Sequence, residues 1–172
     1  MSKEELNALQ RGYYKKEELE EFCVFPSEEY IKKRRIAVIE CVEEIPCNPC
    51  SVICTTNAII KEGLCTPPKV DAEKCVGCTS CVSICPGLAI FLQHIKDEKG
   101  YVTLPYELLP APKIGMIAKL LNRSGDVIDE GAIVQPTYQA RGDAYPRWVV
   151  TVEMDDPELS YEVRAIKIKD DD

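Results

Sequence analysis

The stretch CVGCTSCVSICP sets Cys75, Cys78, Cys81 and Cys85 at gaps of two, two and three residues, with Pro86 directly behind the last. Two-residue gaps wrap a short loop around one centre, so three thiolates converge without long-range folding. Upstream, CNPCSVICTTNAI repeats CTSCVSICPGLAI at a fixed offset of 31 residues. Cys47 answers Cys78, Cys50 answers Cys81, Cys54 answers Cys85, Ala58 answers Ala89 and Ile59 answers Ile90. The repeat is internal and centred on cysteine. It departs from itself at two points. The position equivalent to Cys75 is Glu44, the nearest thiol being Cys41 in ECVEEIPC, and Thr55 stands where the second copy has Pro86.

Three chemistries compete for such thiols. Zinc sites usually pair two short C-x2-C knuckles across a longer insert, whereas here three cysteines run together and a fourth follows by three, twice over. Disulfides need an oxidising compartment and pairwise geometry that crowded neighbours meet poorly. The sequence shows neither a secretory signal nor a long apolar span, so reduced thiols and a cytoplasmic location are expected. The remaining reading is iron–sulfur ligation, in which the cysteine after the three-residue gap serves the other of two clusters. Cys23 and Cys65 stand outside both motifs and are expected as small buried apolar residues.

Over residues 35–91 the chain resembles the dicluster ferredoxins of bacterial type. The resemblance implies two 4Fe-4S clusters. Carried onto this sequence, Cys47, Cys50 and Cys85 hold the first, with Cys41 completing it across a wider gap, and Cys54, Cys75, Cys78 and Cys81 hold the second. For the Cys41 position two rivals stay open, a three-iron cluster lacking that ligand and a carboxylate ligand from Glu44; soft thiolate is the preferred partner of cluster iron. The phrases IECVEEIPCNPC and GYVTLPYELLP also resemble the small iron–sulfur subunits of flavin-dependent amine or amino-acid dehydrogenases from anaerobic bacteria. That resemblance implies a FAD-binding dehydrogenase subunit and a further redox subunit as partners, with FAD or FMN carried by them and not by this chain.

The chain of 172 residues is about two to three times longer than the repeat needs. An α+β fold is expected: N-terminal helices over 1–34, a ferredoxin-like dicluster core over 35–100, a Pro-rich linker over 101–113 and a small antiparallel β-barrel over 114–172. Ser2 with Glu5, and Ser27 before Glu28 and Glu29, mark helix starts. Leu19, Phe22 and Cys23 form a narrow apolar stripe. RIAVIEC (35–41) reads as the strand entering the first loop, with its match near 69–71, and Val52, Ile53, Val82 and Ile84 are expected to shield sulfur. Prolines 105, 110 and 112 suggest an extended linker. Beyond it GMIAKLLN, VIDEGAIVQPTYQ and RWVVTVEM read as strands. Trp148, Val150, Val152 and Met154 then form one buried face, followed by a short helix at Pro157 and a last strand over 165–168.

A net charge of −8 argues against nucleic acid as partner, since phosphates need a basic face. The run Lys32-Lys33-Arg34-Arg35 is short and reads as the cationic end of a helix. Arg141-Gly142-Asp143 reads as a turn, Asn122-Arg123-Ser124 as an inert sequon, and His94 as a surface residue. No phosphate loop, nucleophile or histidine–carboxylate pair is visible, so no catalytic residue is expected. The expected function is single-electron relay between a flavoprotein and an acceptor. A freely diffusing acidic ferredoxin is the alternative, and a cluster-based oxygen sensor ranks last for want of a basic DNA-binding helix.

Overall fold

The computed structural model describes residues 7–139 and 147–169. The capping box expected at Ser2 and Glu5 and the turn at Arg141-Gly142-Asp143 lie outside the described residues. Three short helices come first. Helix α1 (Ala8–Arg11) is opened by Asn7, whose side chain accepts from the Gln10 N–H while the Gln10 side chain accepts from the Asn7 N–H; Gly12 closes it in the left-handed conformation. Helices α2 (Lys16–Leu19) and α3 (Glu28–Lys33) follow, α3 with acids in its first turn and lysines in its last, the order that its dipole favours. Leu19, Cys23 and Ile31 are buried, whereas Phe22 is exposed, so only part of the expected stripe is seated.

The 31-residue repeat persists as backbone. Helices α4 (Pro49–Ile53) and α5 (Ser80–Ile84) occupy equivalent repeat positions, and after each one residue turns left-handed, Asn57 at φ 54° and Leu88 at φ 53°. Strands β1 (Ile36–Ile39), β2 (Ile59–Ile60), β3 (Lys69–Val70) and β4 (Ile90–Lys96) flank them. β1 pairs with β4, Ile39 opposite Ile90, and β2 pairs with β3, Ile59 opposite Val70. Positions 39 and 70 are equivalent in the repeat, as are 59 and 90. Each half therefore pairs its first strand with the second strand of the other half, and an approximate twofold relates them.

The chain continues through β5 (Lys99–Tyr106), β6 (Ile117–Leu121), β7 (Val127–Gln139), β8 (Arg147–Met154), a 3-10 turn at Pro157–Tyr161 and β9 (Ala165–Ile168). One antiparallel sheet, ordered β1-β4-β5-β8-β7-β6-β9, runs across both sides of the expected linker. Residues 101–106, expected as that linker, are strand: Tyr101, Val102 and Thr103 are good strand formers, and Pro105 falls past Thr103, the last β5 residue paired with β4. There one side of the strand is an edge and tolerates a residue without N–H. The barrel expected over 114–172 does not close among the described residues, since β9 pairs only with β6 and is an outer strand.

The sheet separates two cores. Ile36, Ile39, Ile90, Leu92 and Val149 pack with Ile31 and the cysteines on one face, while Phe91, Val102, Leu104, Leu120, Ile133, Val150 and Val152 pack on the other. Neighbouring residues of β4 and β8 enter opposite cores, as the two-residue period of a strand requires. Burial of Val149 and Thr151 corrects the expectation of a single buried face on β8: the strand lies inside the sheet, between β5 and β7, with a core on each side. Among the described residues no helix is long and apolar enough to cross a membrane.

Candidate metal centre

The two cysteine sets gather into two separate cavities. Cys41, just past β1, Cys47 in the following loop, Cys50 in α4 and Cys85 at the end of α5 line the first, together with Glu43, Lys61 and Ile90. Cys54 at the end of α4, Cys75 and Cys78 in the loop after β3, and Cys81 in α5 line the second, with Ala37, Thr56, Ile59, Gly77 and Leu92. Each ring takes three thiols from its own half and one from the other. The exchange follows from local structure: α4 and α5 pack together, and each carries one cysteine inside the helix and one where the helix ends.

Backbone donors point at several of these sulfurs. Ala58 N–H donates to Cys54 Sγ at 3.2 Å, Ala89 N–H to Cys85 Sγ at 3.4 Å, and Ala37 N–H of β1 to Cys75 Sγ at 3.4 Å. The first two are repeat equivalents and arise from the left-handed residue that precedes each alanine. Gly77 has φ +65°, and a Cβ there would lie 2.6 Å from the Arg35 carbonyl oxygen. Only glycine lets the loop carrying Cys78 pass so close to β1.

The second ring has no charged residue in its lining. Burial, followed by the neighbouring Cys75 and Cys78, pushes the Cys81 thiol up to about 12. Burial also raises Cys50 and Cys41. At Cys54 burial likewise acts upward, but hydrogen bonds from Thr56 and from the backbone of Ile59, Ala58 and Thr56 outweigh it, and its pKa is lowered. Thiolates at this depth need a cation beside them, which bound iron would supply.

The donor set fits an iron–sulfur cluster: eight free thiols in two rings, the second without charged neighbours, with N–H groups directed at sulfur. Thiolates sharing one zinc stand roughly 4 Å apart, set by Zn–S bonds of about 2.3 Å. Among the described residues no three His, Cys, Asp or Glu side chains are close enough to share a single ion. A family model described as a 4Fe-4S binding domain, Fer4, matches residues 68–91. The chain thus carries a 4Fe-4S binding domain of ferredoxin type, and Cys75, Cys78, Cys81 and Cys85 lie within it. No curated protein and no solved structure matches the chain.

Other expected residues fall variously. Cys41 lines the first cavity, and Glu44, its carboxylate rival, is exposed and absent from the lining. The cavity instead holds Glu43 and Lys61, charged neighbours that no spacing rule singles out. Val82 is fully buried as a shield should be, but Val52 is 76% exposed and shields nothing, because α4 turns that side outward. Cys23 is buried, and burial, then Glu40, pushes its thiol up to about 11. Cys65 is exposed, against expectation, in an outlying loop where residues 62–65 all face solvent. His94 is half-buried beside Tyr101, with ring centroids 5.9 Å apart, and burial lowers its pKa. Asn122 shapes a turn by accepting hydrogen bonds from the N–H groups of Ser124 and Asp126, both at 3.0 Å.

Proposed function

We propose that this chain is an iron–sulfur electron-transfer subunit with a ferredoxin-like dicluster core. In this reading two 4Fe-4S clusters relay single electrons between a FAD-dependent dehydrogenase partner and an acceptor. One observation carries it: two cavities, each lined by four cysteines, with one cysteine exchanged between the halves. When bound, such clusters supply reversible one-electron transfer. The chain's own residues do the rest. Cys41, Cys47, Cys50 and Cys85 hold the first cluster; Cys54, Cys75, Cys78 and Cys81 hold the second. The N–H groups of Ala37, Ala58 and Ala89 offset negative charge on sulfur, and Ile59, Val82, Ile90 and Leu92 exclude water. Cys78 is exposed beside exposed Val76, so the second ring comes to the surface there and offers a partner its approach. Docking to a larger complex accounts for the helices and strands beyond the repeat.

A freely diffusing acidic carrier is the second reading, favoured by the net charge of −8, which steers a chain toward basic docking sites. Anaerobic purification at low salt, followed by iron and flavin quantification, separates the two. About eight irons per chain with stoichiometric flavin on larger co-purifying subunits is the expected result. The same iron on a lone 19.3 kDa chain overturns the subunit reading and leaves the carrier, and iron for one cluster only overturns the dicluster core.

A further inference from the structure

A third cavity, of about 350 Å³, falls within the range of small-ligand sites. Tyr13 and Tyr14 of the N-terminal segment line it together with Phe91, Glu40, Arg123 and Arg164. These three charged side chains are 9%, 8% and 7% exposed. Glu40 accepts from Arg123 Nη2 at 2.7 Å and Nε at 3.0 Å and from Arg164 Nε at 2.6 Å. Arg123 also donates to Glu162 at 2.8 Å and to the Tyr161 carbonyl at 2.9 Å.

Arg164 is less fully used. Its Nη1 donates to the carbonyls of Ser160 and Val163, at 3.3 and 2.6 Å, while Nη2 has no hydrogen-bond partner among the described residues. The guanidinium stacks over Phe91, 5.0 Å from the ring centroid. Glu40 and Glu162 together balance the two arginines, so what the cavity offers an anion is the unused donor of Arg164 and not a surplus of charge. A purely structural ion pair explains the contacts of Glu40; it explains neither the idle nitrogen nor the space beside it. A planar guanidinium with free donors, next to aromatic faces, suits a flat ring bearing a carboxylate or phosphate.

We propose that this cavity binds a small aromatic oxyanion, with Arg164 Nη2 meeting the oxyanion and Tyr13, Tyr14 and Phe91 enclosing the ring. The proposal is independent of iron content and of the partner.

The test is calorimetric titration of the full chain, purified with its iron, with benzoate, phenyl phosphate and benzyl alcohol, the last carrying the ring without charge. Saturable one-to-one binding of benzoate or phenyl phosphate is expected, with benzyl alcohol at least about tenfold weaker. The tighter of the two anions distinguishes carboxylate from phosphate ligands. Arg164→Gln should weaken binding by about tenfold or more. If that variant fails to fold, Tyr13→Ala, which lies outside the Glu40 network, should weaken binding instead. The proposal is overturned by no saturable binding of either anion up to roughly 10 mM. Equal binding of benzyl alcohol, or unchanged affinity in the folded variants, overturns it as well.

Discussion

Replacing Gly77 with alanine probes the loop that carries Cys78. Two separable effects add at this position. A side chain held in the left-handed region costs about 1–2 kcal/mol. The new Cβ would also sit 2.6 Å from the Arg35 carbonyl oxygen and 2.9 Å from Arg35 Cβ, both on β1 or its approach and neither able to yield without moving backbone. Forcing extra atoms into packed structure adds about 1–3 kcal/mol, so Gly77→Ala should lose roughly 2–5 kcal/mol. Gly125→Ala isolates the first effect: its φ is +81° and nothing lies within 4 Å of the added Cβ. That control should lose only about 1–2 kcal/mol. The assay is anaerobic denaturant unfolding of both variants with iron counted per chain. Gly77→Ala should also lose iron, because relieving the clash moves Cys78 away from Cys75 and Cys81, whereas Gly125→Ala should keep it all. Equal stability losses in the two variants, with full iron in both, would refute the reasoning.

Cys54 lies outside residues 68–91 yet lines the second ring, so Cys54→Ser should remove iron as Cys75→Ser does; full iron in Cys54→Ser would sink the exchange of cysteines between halves. Cys23→Ala and Cys65→Ala should leave iron per chain unchanged, and a loss of about four irons in either would show a misplaced ligand. Burial pushes the Glu40 carboxyl up, but Arg164 and Arg123 pull it down further, so its pKa lies below the ordinary 4.5. Its ionised form therefore stabilises the fold fully above that value, and the stabilisation disappears as pH falls through the lowered one. Glu40→Gln turns an amide donor toward the guanidiniums and should cost about 3–5 kcal/mol near neutral pH. It should also flatten the stability slope below pH 4.5, and acid-unfolding curves parallel to wild type would contradict this.

Much of the candidate site was legible because cysteine spacing acts over short range. The gaps in CVGCTSCVSICP and the 31-residue offset imply two equivalent loops; the structure builds them around α4 and α5, with a left-handed residue and an N–H to sulfur bond after each. The strands beyond residue 114 were legible too, from alternation and turn residues, and β6 to β9 fall within the expected stretches. Less legible was anything set by position in the sheet. Pro105 reads as a linker until its place past the last β5 residue paired with β4 is known, and Val149 reads as outward-facing until a core is seen on that side.

The sequence by itself determined that two sets of thiols recur 31 residues apart, because spacing is a property of contiguous chain, and where the later strands lie, because period-two patterning is local; the exchange of Cys54 and Cys85 between the sets depends on the packing of α4 against α5. Only the tertiary structure decided that one open sheet joins the cysteine halves to the C-terminal strands. The same holds for the meeting of Glu40 with Arg123 and Arg164. These residues stand 83 and 124 positions away from Glu40, and no local pattern encodes a contact at that separation. Glu40 follows β1 at one edge of the sheet and Arg123 and Arg164 adjoin β6 and β9 at the other, so they meet only because the sheet curls its two edges together, where a buried carboxylate must find its countercharge.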